Sequence, residues 1–134
     1  MRYLAPVDMS ELIGHTVREI KGGVGDEELI FVVENGDRFV MGHMQTCCEE
    51  VTVEDICGDL SNLIGLPILM SEMVSDTESR TEKDKKAERF LWTFCKVGTN
   101  RGCVTLRWYG ESNGYYSVTV DCYWLEPDTR KNSQ

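Results

Sequence analysis

The apolar positions of this chain fall into short runs rich in Val, Ile, Phe, Trp and Tyr, separated by clusters of Gly, Asn, Asp and Ser. That pattern predicts strands joined by turns. Ser10-Glu11-Leu12-Ile13-Gly14 reads as one helical turn, with Ser10 placed to cap its start and Gly14 to end it in the left-handed region. His15 to Lys21 reads as a strand, and Gly22 to Asp26 as a turn. Glu28 to Glu34 is β-rich, and the Asn35-Gly36 that follows it is the strongest short hairpin signal, completed by Arg38 to Met44.

Glu50 to Ile56 is ambiguous, because Val51 and Val53 alternate as in a strand while the stretch is acidic. Asp59 caps a short helix over Leu60 to Ile64, closed by Gly65 and stopped by Pro67. Ile68 to Val74, Phe90 to Lys96, Gly102 to Tyr109 and Tyr116 to Trp124 read as further strands. Turns at 98–102 and 110–114 join the last three. Residues 75–88 are polar and charge-mixed and read as a flexible loop, and 127–134 as a frayed tail. The expected fold is therefore α+β: a mostly antiparallel sheet of about six to seven strands with one or two short helices, in a single domain spanning 1–134.

Ser10-Glu11-Leu12-Ile13-Gly14-His15-Thr16-Val17 is echoed 51 residues later by Ser61-Asn62-Leu63-Ile64-Gly65-Leu66-Pro67-Ile68. Each copy introduces a strand. Two similar halves, each opened by a helical turn, would explain the echo; chance recurrence is the alternative.

Charge narrows the partners. The net charge is −9, all of it in residues 1–71, which hold thirteen acids and four bases; residues 72–134 hold ten of each. An acidic surface repels long nucleic acids and anionic membranes but leaves room for a compact anionic ligand. No apolar run approaches the roughly 20 residues that span a bilayer, and the N-terminus carries no secretion signal, so a cytoplasmic setting is expected. The six cysteines are then expected to be free thiols, with Cys95, Cys103 and Cys122 packed as small core hydrophobes.

Two segments carry candidate chemistry. In His43-Met44-Gln45-Thr46-Cys47-Cys48-Glu49-Glu50 an imidazole, two thiols and two carboxylates invite a metal reading on His43, Cys47 and Cys48, or a nucleophilic thiol with His43 as base. No second ligand pair and no Cys-x-x-Cys exists, so local packing or ligand contact at His43 is preferred, with no cofactor and no catalytic residue expected. In Arg107-Trp108-Tyr109-Gly110-Glu111-Ser112-Asn113-Gly114-Tyr115-Tyr116, aromatic rings flank a glycine-containing turn. Trp108, Tyr109, Tyr115 and Tyr116 offer stacking faces, Arg107 a phosphate contact, and Ser112 and Asn113 hydrogen bonds to a base or ribose. A plain hairpin with cross-strand aromatic pairs is the competing reading. Strand alternation sends Arg107 and Tyr109 to one side and Trp108 to the other, so a single pocket would need a second subunit, and a homo-oligomer is expected.

The stretches His43 to Glu49, Val53 to Ile68 and Thr93 to Tyr116 resemble a family of small proteins frequent in tailed bacteriophage and prophage genomes. The matching signature is Cys-Cys-Glu-x-Val, Glu-Asp-Ile-x-Gly-Asp-Leu, Leu-Ile-Gly-x-Pro-Ile and Arg-Trp-Tyr-Gly-x-Ser-Asn-Gly-Tyr-Tyr. Members often read Gln-Asp before the cysteine pair where this chain has Gln45-Thr46, a loss of a carboxylate that weakens a metal reading. The resemblance implies a phage origin and a host bacterial cytoplasm. It also implies, by analogy with small acidic phage proteins, a non-enzymatic sponge for a nucleotide-type immune signal such as a cyclic nucleotide or cyclic ADP-ribose. A protein-binding inhibitor of a host factor and a Cys/His-dependent enzyme acting on a nucleotide are the alternatives.

Overall fold

The computed structural model describes residues 6–43, 49–76, 89–112 and 118–126. Among these residues the chain forms eight strands: β1 (Val17–Lys21), β2 (Glu28–Val33), β3 (Arg38–Gly42), β4 (Glu50–Cys57), β5 (Met70–Asp76), β6 (Arg89–Thr99), β7 (Gly102–Ser112) and β8 (Asp121–Leu125). They make two four-stranded sheets, ordered β1-β2-β3-β8 and β4-β7-β6-β5, with every neighbouring pair antiparallel. The mostly antiparallel expectation holds, with more strands than foreseen because the ambiguous acidic stretch at 50–57 is one of them. Its acids fit because Val51 and Val53 supply the buried face while Thr52, Glu54 and Asp55 lie on its partly exposed side. The helical content is two 3₁₀ turns, Met9–Leu12 and Leu60–Leu63. No described helix is long and apolar enough to cross a membrane.

Alternation builds the core. Leu29, Phe31 and Val33 of β2, Phe39 and Met41 of β3 and Cys122 of β8 point to the same interior as Val51 and Val53 of β4, Cys95 and Val97 of β6, and Val104, Leu106 and Trp108 of β7. The two sheets thus face each other across one apolar layer, a β-sandwich. Met9, Leu12, Leu63 and Ile68 from the 3₁₀ turns and their exits join the same layer.

The 51-residue echo coincides with a reciprocal arrangement. Asp8 and Asp59 cap the two turns, their side chains accepting from the backbone N–H of Ser10 and Ser61. The first cap is therefore Asp8, two residues earlier than Ser10, whose own N–H is the donor. Gly14 and Gly65 both take positive φ, 94° and 90°, which an L side chain resists. The N–H of Gly14 donates to Ile68 O and that of Gly65 to Val17 O, each at 2.8 Å. Each turn thus bonds to the strand-entry segment that follows the other.

Beyond the turns the order repeats as well. A turn leads into a three-strand meander, β1-β2-β3 or β5-β6-β7, and the fourth strand crosses to the other sheet: β4 pairs β7, and β8 pairs β3. The dimensions differ, since β6 and β7 have 11 residues each and β2 and β3 have 6 and 5. The expected hairpin between 102–109 and 116–124 is accordingly not formed. Both edges of β7 are taken by β4 and β6, and the chain changes sheets before β8. β7 runs on through Ser112, so Gly110 is a strand residue and not part of a turn. A Cβ on Gly110 would lie 2.9 Å from Val118 O and 3.0 Å from Val51 Cγ2, so only glycine lets the returning segment pass.

A Cβ on Gly14 or Gly65 would meet nothing within 4 Å, so substitution there tests backbone conformation alone. Gly14→Ala and Gly65→Ala should each lower unfolding free energy by about 1–2 kcal/mol, the cost of holding an L residue in the left-handed region. Urea denaturation with an unchanged m-value checks this.

Candidate functional site

β7 runs through the middle of its sheet, and its alternation divides the Arg-Trp-Tyr-Gly motif between two faces. Trp108 and Gly110 face the core; Arg107 and Tyr109 face outward. The two-residue turn at Asn100 and Arg101 sets the β6–β7 register, which places Trp92 opposite Tyr109 and Phe94 opposite Arg107. Phe90, Trp92 and Tyr109 form a small buried cluster on the outer face, with Phe94 packed against it. The Trp92 and Tyr109 rings are 4.7 Å apart and tilted by 54°.

The Arg107 guanidinium lies over the Trp92 ring, 5.0 Å from its centroid, a cation–π contact. Its Nη2 is 3.6 Å from Asp55 Oδ2, and the two side chains are 43% and 47% exposed. At that separation and exposure the pair contributes little. Asp55 spends Oδ1 on the N–H of Ile56 at 2.8 Å and offers Oδ2 to the Cys57 thiol at 3.9 Å. The Arg107 Nε is buried and has no hydrogen-bond acceptor among the described residues. The outer face thus presents a half-exposed, incompletely satisfied cation on an aromatic floor.

Of the residues singled out from sequence, Arg107 and Tyr109 share this face. Trp108 is fully buried between the sheets and lines no surface site. Ser112 is buried at the end of β7. Asn113, Tyr115 and Tyr116 lie outside the described residues, as do Cys47 and Cys48. Trp92 and Phe94 were missed, although the register that brings them here follows from the 98–102 turn.

His43 has a different surrounding from the one expected. Its side chain is 7% exposed and that of Glu49 is 2%. Nδ1–H donates to Thr119 O at 2.7 Å, and Nε2 lies 2.9 Å from Glu49 Oε2. A carbonyl only accepts, so Nδ1 holds a proton, and one further proton bridges Nε2 and the carboxylate. Both ring nitrogens are occupied in tying the end of β3 to the start of β4 and to the segment entering β8. This geometry leaves His43 without a free nitrogen for a ligand, a metal or base catalysis. Among the described residues no group of three or more His, Cys, Asp or Glu is placed to hold a metal ion.

The other imidazole is more open. Glu34 accepts from Thr16 N at 2.7 Å and from His15 Nδ1 at 3.0 Å. The Thr16 N–H, with a smaller share from His15, holds the Glu34 carboxyl below its usual range. As Glu34 is the acceptor, Nδ1 carries the proton, and His15 Nε2 has no hydrogen-bond partner among the described residues. The ring packs 5.3 Å from Phe39 and edge-on to Trp124 at 5.7 Å, and Trp124 Nε1 donates to Asp37 Oδ2 at 2.9 Å. In the sequence His15 carried no signal beyond being the second histidine.

The four described cysteines are all free. Burial pushes the Cys95 and Cys122 thiols up to about 12, so both are inert core residues. Cys103, expected in the core, is exposed with Cys57, because odd-numbered positions of β7 face outward.

An antiparallel β-sandwich with a cation-on-aromatic outer face is the class of protein these features define. The chain belongs to a family described as a domain of unknown function, DUF7448, whose model matches residues 10–122. No curated protein and no solved structure matches it.

Two outcomes follow from the site geometry. His43→Ala should destabilise the fold by about 3 kcal/mol by removing the imidazole that faces the buried Glu49 carboxylate, and His43→Ala/Glu49→Leu should recover part of that loss; chemical denaturation of the three proteins checks both. Alkylation of the native protein should label Cys57 and Cys103 quickly and Cys95 and Cys122 only after unfolding, as read by peptide mass mapping.

Proposed function

We propose that this protein is a phage-encoded, non-enzymatic binding protein that captures a small nucleotide-type immune signal, of the cyclic nucleotide or cyclic ADP-ribose type, in the host bacterial cytoplasm. The observation that carries the reading is Arg107. Its guanidinium is half exposed, seated on Trp92, held only weakly by Asp55, and has a buried Nε without an acceptor among the described residues. A phosphate oxygen would bond the exposed end of that guanidinium with charge-assisted hydrogen bonds that no neutral group supplies. Phe94, beside Arg107 on β6, and Lys96 on the same face give a ring edge and a second cation. Trp92 and Tyr109 are buried, at 6% and 3% exposed, so they form the floor under the cation and not open stacking platforms.

Tyr115, Tyr116, Ser112 and Asn113 complete the reading from sequence: a base stacked on either tyrosine would gain roughly 1–3 kcal/mol. The net charge of −9 is compatible with a compact ligand, because screening limits repulsion beyond about 8–10 Å. Phage origin and the anti-defence setting rest on the motif resemblance. The protein is taken to act as a homo-oligomer.

Calorimetry against cyclic di- and trinucleotides and cyclic ADP-ribose isomers tests the reading. At least one should bind with a Kd below about 10 μM and be recovered intact after heat release. Arg107→Ala should weaken it at least tenfold, about 1.4 kcal/mol, and Asp55→Asn should tighten it by freeing the guanidinium. No binding across the panel overturns the nucleotide assignment and favours a protein target. A ligand recovered cleaved favours an enzyme. An affinity indifferent to Arg107 moves the site elsewhere.

A further inference from the structure

Three of the four sheet edges are covered by this chain's own backbone. β1 is bonded by the 64–67 segment, through Gly65 N to Val17 O and the Thr16–Pro67 bridge. β4 receives the β1–β2 turn, through Gly25 N to Val53 O and Val53 N to Asp26 O at 2.8 and 3.0 Å. β8 receives Val7, whose N–H donates to Cys122 O at 2.7 Å. β5 differs: the Met9–Leu12 turn packs against it, with Ser71 Oγ donating to Met9 O at 2.7 Å, but among the described residues Met70–Asp76 make no main-chain to main-chain hydrogen bond on the side away from β6.

The same edge gathers exposed apolar side chains. Of the five large hydrophobic residues exposed among the described positions, Met70 at 36% and Val74 at 49% belong to the strand, Leu69 at 58% immediately precedes it, and Ile13 at 45% ends the Met9–Leu12 turn that packs against it. Natural edge strands are blunted by lysine, proline, bulges or cover. β5 carries two acids, Glu72 and Asp76, but no lysine or proline, and its seven-residue register with β6 runs without a bulge.

We infer that β5 is a two-fold interface with a second copy of this chain, through antiparallel β5–β5 pairing that joins two four-stranded sheets into one of eight. The strand fits itself. With the axis at Met73, Glu72 lies opposite Val74 of the second copy, so no acid faces an acid directly. Val74 and its symmetry mate become diagonal neighbours on one face. The remaining charge is balanced within each chain, because Glu72 sits across from Lys96 of β6. An acidic peptide would instead bring its charges onto Glu72.

The axis runs perpendicular to the sheet and leaves both outer faces on the same side. The two Arg107 residues then lie five strand spacings apart, roughly 24 Å. This gives the oligomer of the proposed function a specific form, a bivalent surface, but it is testable without any ligand.

Sedimentation of the protein alone decides it. The wild type should sediment at twice the 15.3 kDa chain mass at about 50 μM. Val74→Glu, which sets a second carboxylate directly opposite Glu72 of the second copy, should weaken dimerisation at least tenfold with an unchanged far-ultraviolet circular dichroism spectrum. Val24→Glu, at an exposed apolar position on the β1–β2 turn, should leave the dimer intact. If Val74→Glu fails to fold, Met70→Glu, at the other outward apolar position of the strand and opposite Asp76 of the second copy, makes the same test. A wild-type protein that sediments as a single chain overturns the proposal, and so does a dimer that folded β5 variants leave unchanged. Neither result bears on whether Arg107 binds a ligand.

Discussion

The two 3₁₀ turns of this protein are tied to each other's strand entries by a pair of reciprocal backbone hydrogen bonds, Gly14 N–H to Ile68 O and Gly65 N–H to Val17 O. Each requires a glycine at positive φ, because only that conformation turns the chain out of a 3₁₀ turn with its N–H aimed at the other half. The buried leucines that precede the glycines, Leu12 and Leu63, anchor the turns in the core. Hydrogen bonds of this kind add only about 1 kcal/mol each. Their weight lies in geometry: they set where β1 and β5 begin, and so the position of both meanders.

The exchange of the fourth strands then decides where chemistry can occur. β4 crosses to pair with β7 and makes β7 an interior strand. Its alternation becomes a sorting device. Trp108 is driven into the core, where its Nε1 finds no well-placed acceptor among the described residues. Arg107 is set on the opposite face over Trp92. Gly110 is forced to be small by Val118 passing above it. One four-residue motif therefore combines core packing, a surface cation and a crossing point. Its residue types make sense only in the light of all three.

The two histidines show how the same side chain takes opposite roles according to its partners. His43, engaged at both nitrogens and buried with Glu49, is a cross-tie between strands. His15 is steered by Glu34 through Nδ1, with Trp124 and Phe39 fixing the ring and Nε2 directed away from that contact. Proximity of His43 to two cysteines in sequence suggested chemistry. Tertiary contact with Thr119 and Glu49, 76 and 6 residues away, assigned it to structure instead.

The sequence by itself determined the local elements. Asn35-Gly36 and the 98–102 turn specified two hairpins, Asp59 and Gly65 bounded the second 3₁₀ turn, and the echo between residues 10–17 and 61–68 coincides with the two turns that exchange hydrogen bonds. These features rest on backbone dihedrals and contacts a few residues apart, which composition encodes directly. Tertiary structure alone decided which strand joined which sheet, because period-two alternation states that one face is buried without naming the surface that buries it. The acidic β4 became a strand because β7 had an open edge for it. β8 joined the other sheet and formed no hairpin with β7 because β4 occupies that edge of β7. Arg107 acquired Trp92 as its floor only once the β6–β7 register and the outer face were both in place.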